Sequence, residues 1–536
     1  MSIKVSNFSI AFLFFQIPLF LFSSKAHGIF LDGKGHYSLL GETMTHPGFD
    51  PEGGYFQAII QNFRLESELR ASDKSSFFVE FNLFENPRKA YLGDTPEPKD
   101  CSIYVKQSDG SAGYSNLGKS SDCKGRPQNT ISPAYEKYAP HILKAYAKYA
   151  TDYCIIDGGR RGRDWGMGAY LNSGKGLFDT DQSVFDGVTC NVNIQKTQTL
   201  GFSVGYDKLQ ETGSSIWGDN TKKFGAKNPS DDIDQYFFTI EYDDRKAKAG
   251  ASFTQHIGFY FANIQSGELT KTDIKIADLY LGFFLPSLIV ENEMIFRLGR
   301  SADPSVSRYG GTTSIDDDVV TNNVQSIAST GSLEYIITQS GSSTGPKEYN
   351  QGNFKSHSLF FDYAFAPGDS NGYQPEFDGK GNKVDKRHNA AEAMAFHKNY
   401  SLALMFFNDR ADDNDRYVDG IFDPSRIMNA SLFGFGYRYQ NQDSGNFEIK
   451  LITGRLNEKM PETLKELYQS TDIKPSGYYG RTLGYELDIK YEKAIAKEFR
   501  FGFAGGIALP GKAWRVHEDQ GSPSTFLIQG FSSFLF

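Results

Sequence analysis

Residues 62–83 read NFRLESELRASDKSSFFVEFNL. Phe63, Leu65 and Leu69 fall on one face of a period-two pattern, and Asn62, Arg64, Glu66, Glu68 and Arg70 fall on the other. A short polar turn follows from Ala71 to Ser75, after which Val79, Phe81 and Leu83 alternate with Glu80 and Asn82. The reading is a hairpin with one unbroken apolar face and one ionisable face. A soluble sandwich also alternates, with its apolar side turned to a shared core, so one hairpin does not decide between water and lipid.

The rest of the chain does. Tyr485, Leu487, Ile489 and Tyr491 alternate with Glu486, Asp488, Lys490 and Glu492. Phe433, Phe435, Tyr437 and Tyr439 alternate with glycines and Arg438, and Met294, Phe296 and Leu298 oppose Glu293 and Arg297. The connections fall into two sets. Short ones lie at 71–75, 151–153, 243–247 and 493–497; long ones lie at about 85–140, 163–187, 207–233, 300–325, 366–390 and 456–480. Short turns on one rim and long loops on the other describe an outer-membrane barrel. The chain also closes on an amphipathic segment, FLIQGFSSFLF at 526–536, whose terminal aromatic resembles the assembly signal of such proteins.

A sheet that crosses lipid must close on itself, because every backbone N–H and C=O needs a partner there. The expectation is therefore an all-β fold: a transmembrane antiparallel barrel of about 18 strands (16 as the fallback), with short periplasmic turns and long extracellular loops. A lumen of that size is too wide for side chains to fill and can leave an aqueous passage. Trp165, Trp217 and Trp514 fall in or beside long connections and are expected at or above the outer interface. Met460 to Leu467 reads as a short helix within a long loop.

Composition agrees. The chain has 536 residues, with 54 Gly, 45 Phe and 30 Tyr, which suits many strands and turns. A mean hydropathy of −0.45 excludes a polytopic helical membrane protein. The net charge of −9 argues against a nucleic-acid partner, which asks for a basic face. Residues 1–26 read as a signal peptide, with Lys4, an apolar core from Phe8 to Phe22, and small residues before His27. Residues 27–536 are then one barrel domain. Four cysteines in an exported chain read as two disulfides. Of the three pairings open to Cys101, Cys123, Cys154 and Cys190, we prefer Cys101–Cys123 and Cys154–Cys190. No CxxC or histidine cluster suggests a metal site.

No motif for turnover chemistry stands out. Gly33-Lys34-Gly35, Gly379-Lys380-Gly381 and Gly505-Gly506 follow no Walker or Rossmann spacing, and no HExxH appears, so neither enzyme nor cofactor is expected. The informative residues are the ionisable faces: Arg64, Glu66, Glu68, Arg70, Glu80, Lys144, Lys148, Arg160, Glu293, Arg297, Glu486, Asp488 and Lys490 are expected to line the lumen. Mixed rings of charge there bias which solutes pass. On this reading, reversing Glu486 to Arg changes selectivity and leaves assembly intact.

Lys144-Ala145-Tyr146-Ala147-Lys148-Tyr149, then Gly158-Gly159-Arg160-Arg161-Gly162-Arg163-Asp164-Trp165-Gly166-Met167-Gly168, resembles the hairpin of alginate-export-type outer-membrane porins. Phe63-Arg64-Leu65-Glu66 and Leu298-Gly299-Arg300 are similar to further elements of that family. The resemblance implies a monomeric barrel that passes solutes through the outer membrane of a diderm bacterium, with Arg64, Lys144, Lys148 and Arg160 in the lumen. The lumen face here mixes signs, unlike that family's basic channel. The functional expectation is passive diffusion of small hydrophilic solutes, with outer-membrane lipid and lipopolysaccharide as neighbours. The rivals are a non-conducting barrel acting as an adhesin and a β-rich hydrolase.

Overall fold

The structure is a computed structural model. It describes the strands and the connections next to them from Phe30 onward. Residues 1–29 lie outside it, as do 47–48, 50–54, 86–101, 107–111, 117–140, 194–198, 211–232, 246–250, 267–272, 302–321, 341–354, 369–389, 408–425, 461–464 and 466–476, and a few single positions. The signal peptide, Cys101, Cys123, Trp217 and most of the expected helix after Met460 therefore fall outside the described residues.

The strands are β1 (Phe30–Thr45), β2 (Tyr55–Ser72), β3 (Ser75–Glu85), β4 (Ser102–Lys106), β5 (Ala112–Asn116), β6 (His141–Ala150) and β7 (Ile155–Gly162). They continue with β8 (Val184–Asn193), β9 (Leu200–Gln210), β10 (Ile233–Asp243), β11 (Thr254–Ser266), β12 (Asp273–Phe284), β13 (Leu288–Ser301) and β14 (Asn322–Ser340). The last are β15 (Lys355–Ala366), β16 (Ala390–Ala391), β17 (Ala430–Asn441), β18 (Gly445–Leu456), β19 (Thr482–Ala494), β20 (Phe499–Pro510) and β21 (Thr525–Leu535). The main sheet holds 19 of them, and β4 and β5 pair separately. Setting aside the two-residue β16, which runs parallel to β14, 18 antiparallel strands remain. β1 pairs with β2 on one side and β21 on the other, so the sheet closes and leaves no edge.

Alternation assigns the faces. On β12, Ile274, Ile276, Asp278, Tyr280 and Phe284 are buried inward, while Ala277, Leu279, Leu281 and Phe283 turn outward. On β19, Glu486 and Asp488 are buried, while Tyr485, Leu487 and Ile489 are exposed on the outside. Outward Phe435, Leu451, Phe503, Ile528, Val188 and Val204 are likewise exposed. A contiguous apolar surface of this extent asks for a covering phase. At the turn rim the outer face is aromatic: Phe499 meets Phe534 at 4.5 Å, and Tyr491 meets Phe503 at 5.2 Å.

Nine connections lie on one rim and eight on the other. Two depart from the sequence reading. The connection after β15 runs from 367 to 429, well beyond the expected 366–390, and 341–354 is a longer connection on the turn rim. Cys154 and Cys190 form a disulfide with Cα atoms 5.7 Å apart. It ties the turn before β7 to the neighbouring β8.

Candidate pore constriction

Among the described residues, two of the long connections fold into the barrel, and the wall charges hold them there. The first is 163–183, between β7 and β8. Arg163 leads it inward by donating to Asp207 Oδ2 on β9 at 2.7 Å, while Arg161 on β7 donates to Asp207 Oδ1 at 2.9 Å. The Arg163 guanidinium also lies 3.5 Å over the Phe237 ring, a cation–π contact that stays useful because both groups are screened from bulk water. Trp165 then packs on Tyr260 at 5.7 Å. It fits there because β11 carries Gly258, where a Cβ would come within 2.9 Å of the indole.

The turn that follows is gripped from β13. Glu293 accepts the backbone N–H groups of Met167 and Tyr170, at 2.5 and 3.3 Å, and of Ala169 at 3.5 Å. Gly166 makes this approach possible. Its φ is +54°, and a Cβ there would meet the Glu293 carboxylate at 2.6 Å. The loop folds back through Trp165 N–H to Leu171 O at 3.1 Å. Asp164 accepts from the Ser173 N–H at 2.6 Å and pairs with Lys175. Burial pushes the Asp164 carboxyl up, but the Lys175 ammonium and Ser173 outweigh it and hold the group below the usual carboxylate range. The far end is fastened by Arg64 on β2, whose guanidinium donates to Gly174 O and Asp179 O. A depressed carboxylate pKa means the clasp at Asp164 is complete above the ordinary value of 3.8 and is lost as pH falls through its lower folded value. We expect quiet current traces at neutral pH and increasing flicker on acidification below about pH 4, measured as open-channel noise against pH.

The second inward segment is 393–407, in the connection after β15. Arg297 on β13 donates to Ala393 O at 2.6 Å. The Tyr400 hydroxyl bonds Thr330 on β14. Lys450 on β18 donates to Leu402 O at 3.2 Å and pairs with Asp362 at 2.7 Å. On β19, Asp488 accepts Leu404 N–H at 3.1 Å, and Glu486 accepts Met405 and Phe406 N–H at 2.7 and 2.8 Å. Phe406 finishes the segment by stacking on Trp514 at 5.6 Å, and Trp514 meets Phe49 at 4.6 Å. Phe407, next in the chain, has φ +58°. A bulky residue is held in that region only when its surroundings over-determine it.

The two segments touch where His397 N–H donates to Ala169 O at 2.7 Å. β13 is the joint beneath them, with Glu293 holding one and Arg297 the other. A hydrogen-bonded structure thus runs inside the wall from Arg64 on β2 to Glu486 on β19.

The candidate residues sort into three groups. Arg64, Glu293, Arg297, Glu486 and Asp488 bind the inward segments; Glu80 is buried and pairs with Lys144 at 2.6 Å beside the first of them. Glu66, Glu68, Arg70, Lys148 and Lys490 are more open, toward the turn rim. Arg70 pairs with Glu68 at 2.9 Å, and Lys148 lies 5.4 Å from the Tyr146 ring centroid. Arg160 is a correction: it faces outward and meets Asp186 at 3.7 Å, while Arg161 takes the inward place. Trp165 and Trp514 are also corrected, from the outer interface to the barrel interior, where both are buried. Sequence reading missed Arg161, Arg163, Asp207, Asp362 and Lys450. A signal was present in the connections themselves: WGMGAYL at 165–171 and SLALMFF at 401–407 are too apolar for solvated loop tips.

No family model matches this sequence, and no curated protein matches it. Among solved structures, the chain is similar to Acinetobacter baumannii OccAB1, with 10% identity and a TM-score of 0.44, covering 96% of this chain and 98% of that one. It is similar to the outer membrane protein OprD of Pseudomonas aeruginosa, with 11% identity and a TM-score of 0.43, covering 96% of each. It is also similar to OccK8 (OprE) of Pseudomonas aeruginosa, with 11% identity and a TM-score of 0.43, covering 94% of this chain and 98% of that one.

Proposed function

We propose that this protein is an integral outer-membrane channel for passive diffusion of small hydrophilic solutes, acting as a single chain without turnover chemistry. The observation that carries the reading is the pairing of a closed, outwardly apolar barrel with inward segments fastened to buried wall charges. Lipid satisfies the outer face, and closure satisfies the backbone. An adhesin has no need to hold backbone across its own lumen with buried carboxylates and guanidinium groups, whereas a selective passage needs its narrow section fixed.

The solute class follows from the mixed wall. On the turn side, Arg438 bonds both Glu334 and Glu448, at 2.6 and 2.9 Å, and elsewhere on the inner face Glu66 on β2 and Lys148 on β6 carry opposite signs. Such a wall favours small neutral or zwitterionic solutes over a polyanion. The short motifs that resemble those of alginate-export-type porins accord with passive transport, but Arg160 within them faces outward, so a polyuronate substrate is not part of the proposal. Proteoliposomes holding the purified chain should swell in small sugars and amino acids, with rates falling as solute size rises. Absence of swelling with folded barrel in the bilayer would reject the reading.

Glu66 is more open than the anchors, so its charge acts on solutes rather than on the fold. Glu66→Arg should leave heat-modifiable migration unchanged and move the reversal potential in asymmetric salt toward anions. An unchanged reversal potential would remove Glu66 from the conducting path.

A further inference from the structure

The inner wall from β3 to β8 carries a feature that does not bind the inward segments. Phe78 on β3 stands directly opposite Tyr146 on β6, and their ring centroids lie 5.0 Å apart. Two residues from each, on the same inward face, Glu80 pairs with Lys144. Both aromatic side chains are half-buried. Tyr146 in turn stands opposite Gly159 on β7, and Gly159 opposite Gly187 on β8. Neither glycine can carry a side chain, because a Cβ would strike the backbone at Tyr146 or at Tyr206. At one depth of the wall an aromatic pair therefore adjoins a floor of bare backbone.

One step toward the turn rim, the recess is edged by Asp157 on β7, directly opposite Thr189 on β8. Asp157 Oδ2 accepts from the Asn191 amide at 2.7 Å. Asp157 Oδ1 and Thr189 Oγ1 are buried without a hydrogen-bond partner, and Thr189 is only 6% exposed. Unpaired buried polar atoms are costly, so this edge calls for a partner that the chain does not supply. Charge narrows the choice. Glu68 stands opposite Phe78, and with Asp157 on the far side it turns away anions. Lys148 lies 5.4 Å from the Tyr146 ring centroid, where it competes with a cationic solute for the ring face. A neutral ring edged with hydroxyls meets neither obstacle. Its C–H groups can lie on the negative faces of the aromatic rings, and its hydroxyls can donate to Asp157 and exchange hydrogen bonds with Thr189. A concave site with aromatic walls and a few fixed polar groups is the usual form of a small-molecule site.

We propose that this recess is a binding subsite for a pyranose sugar, with Phe78 and Tyr146 as the stacking platform and Asp157 and Thr189 as hydroxyl partners. It names a solute class for the channel reading above and rests on that reading for the sugar's route. The probe is methyl α-D-glucopyranoside, with sorbitol as control because it has the hydroxyls and lacks the ring face. Saturation-transfer NMR on the full chain, folded in an amine-oxide detergent, reads binding without requiring conduction. The wild type should transfer saturation to the glucoside in preference to sorbitol. The double variant Phe78→Leu, Tyr146→Leu keeps apolar bulk and should weaken glucoside binding about tenfold, and Thr189→Val should weaken it severalfold. Equal transfer to both probes in the wild type would overturn the proposal, and that comparison decides even if a variant fails to fold. Unchanged glucoside binding in either folded variant would also overturn it. Selective, variant-sensitive binding by a barrel that shows no ion-conducting steps would reject the channel reading and leave the subsite standing.

Discussion

Replacing Glu293 with Ala should enlarge and destabilise the current through this channel while leaving the barrel assembled. Glu293 is fully buried and accepts the N–H groups of Met167, Ala169 and Tyr170. Without it those donors lose their acceptor, at about 1–3 kcal/mol for each that stays unpaired. Moving 163–183 off the wall hydrates them, so release of the loop is the cheaper outcome. The ladders of β12, β13 and β14 do not involve this side chain, and thermal unfolding in detergent should shift little. Single-channel recording should show larger, flickering steps. Wild-type conductance in Glu293→Ala would mean that the loop is held by its packing at Trp165 and Tyr260 instead.

The second large effect comes from two adjacent residues on opposite faces of β19. Leu487 is 38% exposed on the apolar outside, and Glu486 is fully buried inside. Leu487→Arg places a cation toward hydrocarbon, at about 2–4 kcal/mol near the midplane, and should sharply lower the yield of heat-modifiable barrel. Glu486→Arg should still assemble. It should not act on selectivity alone, as the sequence reading expects, because Glu486 binds Met405 and Phe406 N–H. A cation there cannot accept either bond and repels Lys450 from its place near Asp488. The segment 393–407 should leave the wall, raising conductance as well as changing ion preference. Equal loss of assembly in both variants would contradict the face assignment.

The strands were legible because one period governs them. Wherever apolar and ionisable residues alternate without interruption, as at 485–492, the pattern phases itself and assigns each face. Arg160 was misplaced where that phase is missing. In Gly158-Gly159-Arg160-Arg161-Gly162-Arg163 no apolar side chain marks the outer face, and three arginines fall on both parities. The cross-strand partner Asp207 settles it, and a partner 46 residues away is invisible to a local pattern.

The constriction was harder to read for a different reason. The charges on the inner face were visible, but their role depends on what reaches them. Glu293 and Glu66 look alike in sequence; one meets three backbone donors from a loop more than a hundred residues earlier, and the other stays more open. The loops did announce themselves, through apolar residues that water would not favour at a rim. Trp165 and Trp514 belong to that class, and an interface role for tryptophan competed with a buried one. The barrel interior supplies a second apolar environment, next to the inward segments, that a simple lipid-or-water division leaves out.

Single-channel recording of the purified full-length chain in planar bilayers is the most direct test of a water-filled passage inside a lipid-facing wall. The account predicts discrete ion-conducting steps, small for a barrel of this girth because two segments narrow it. Insertion of folded, heat-modifiable protein with no steps at any voltage would contradict it.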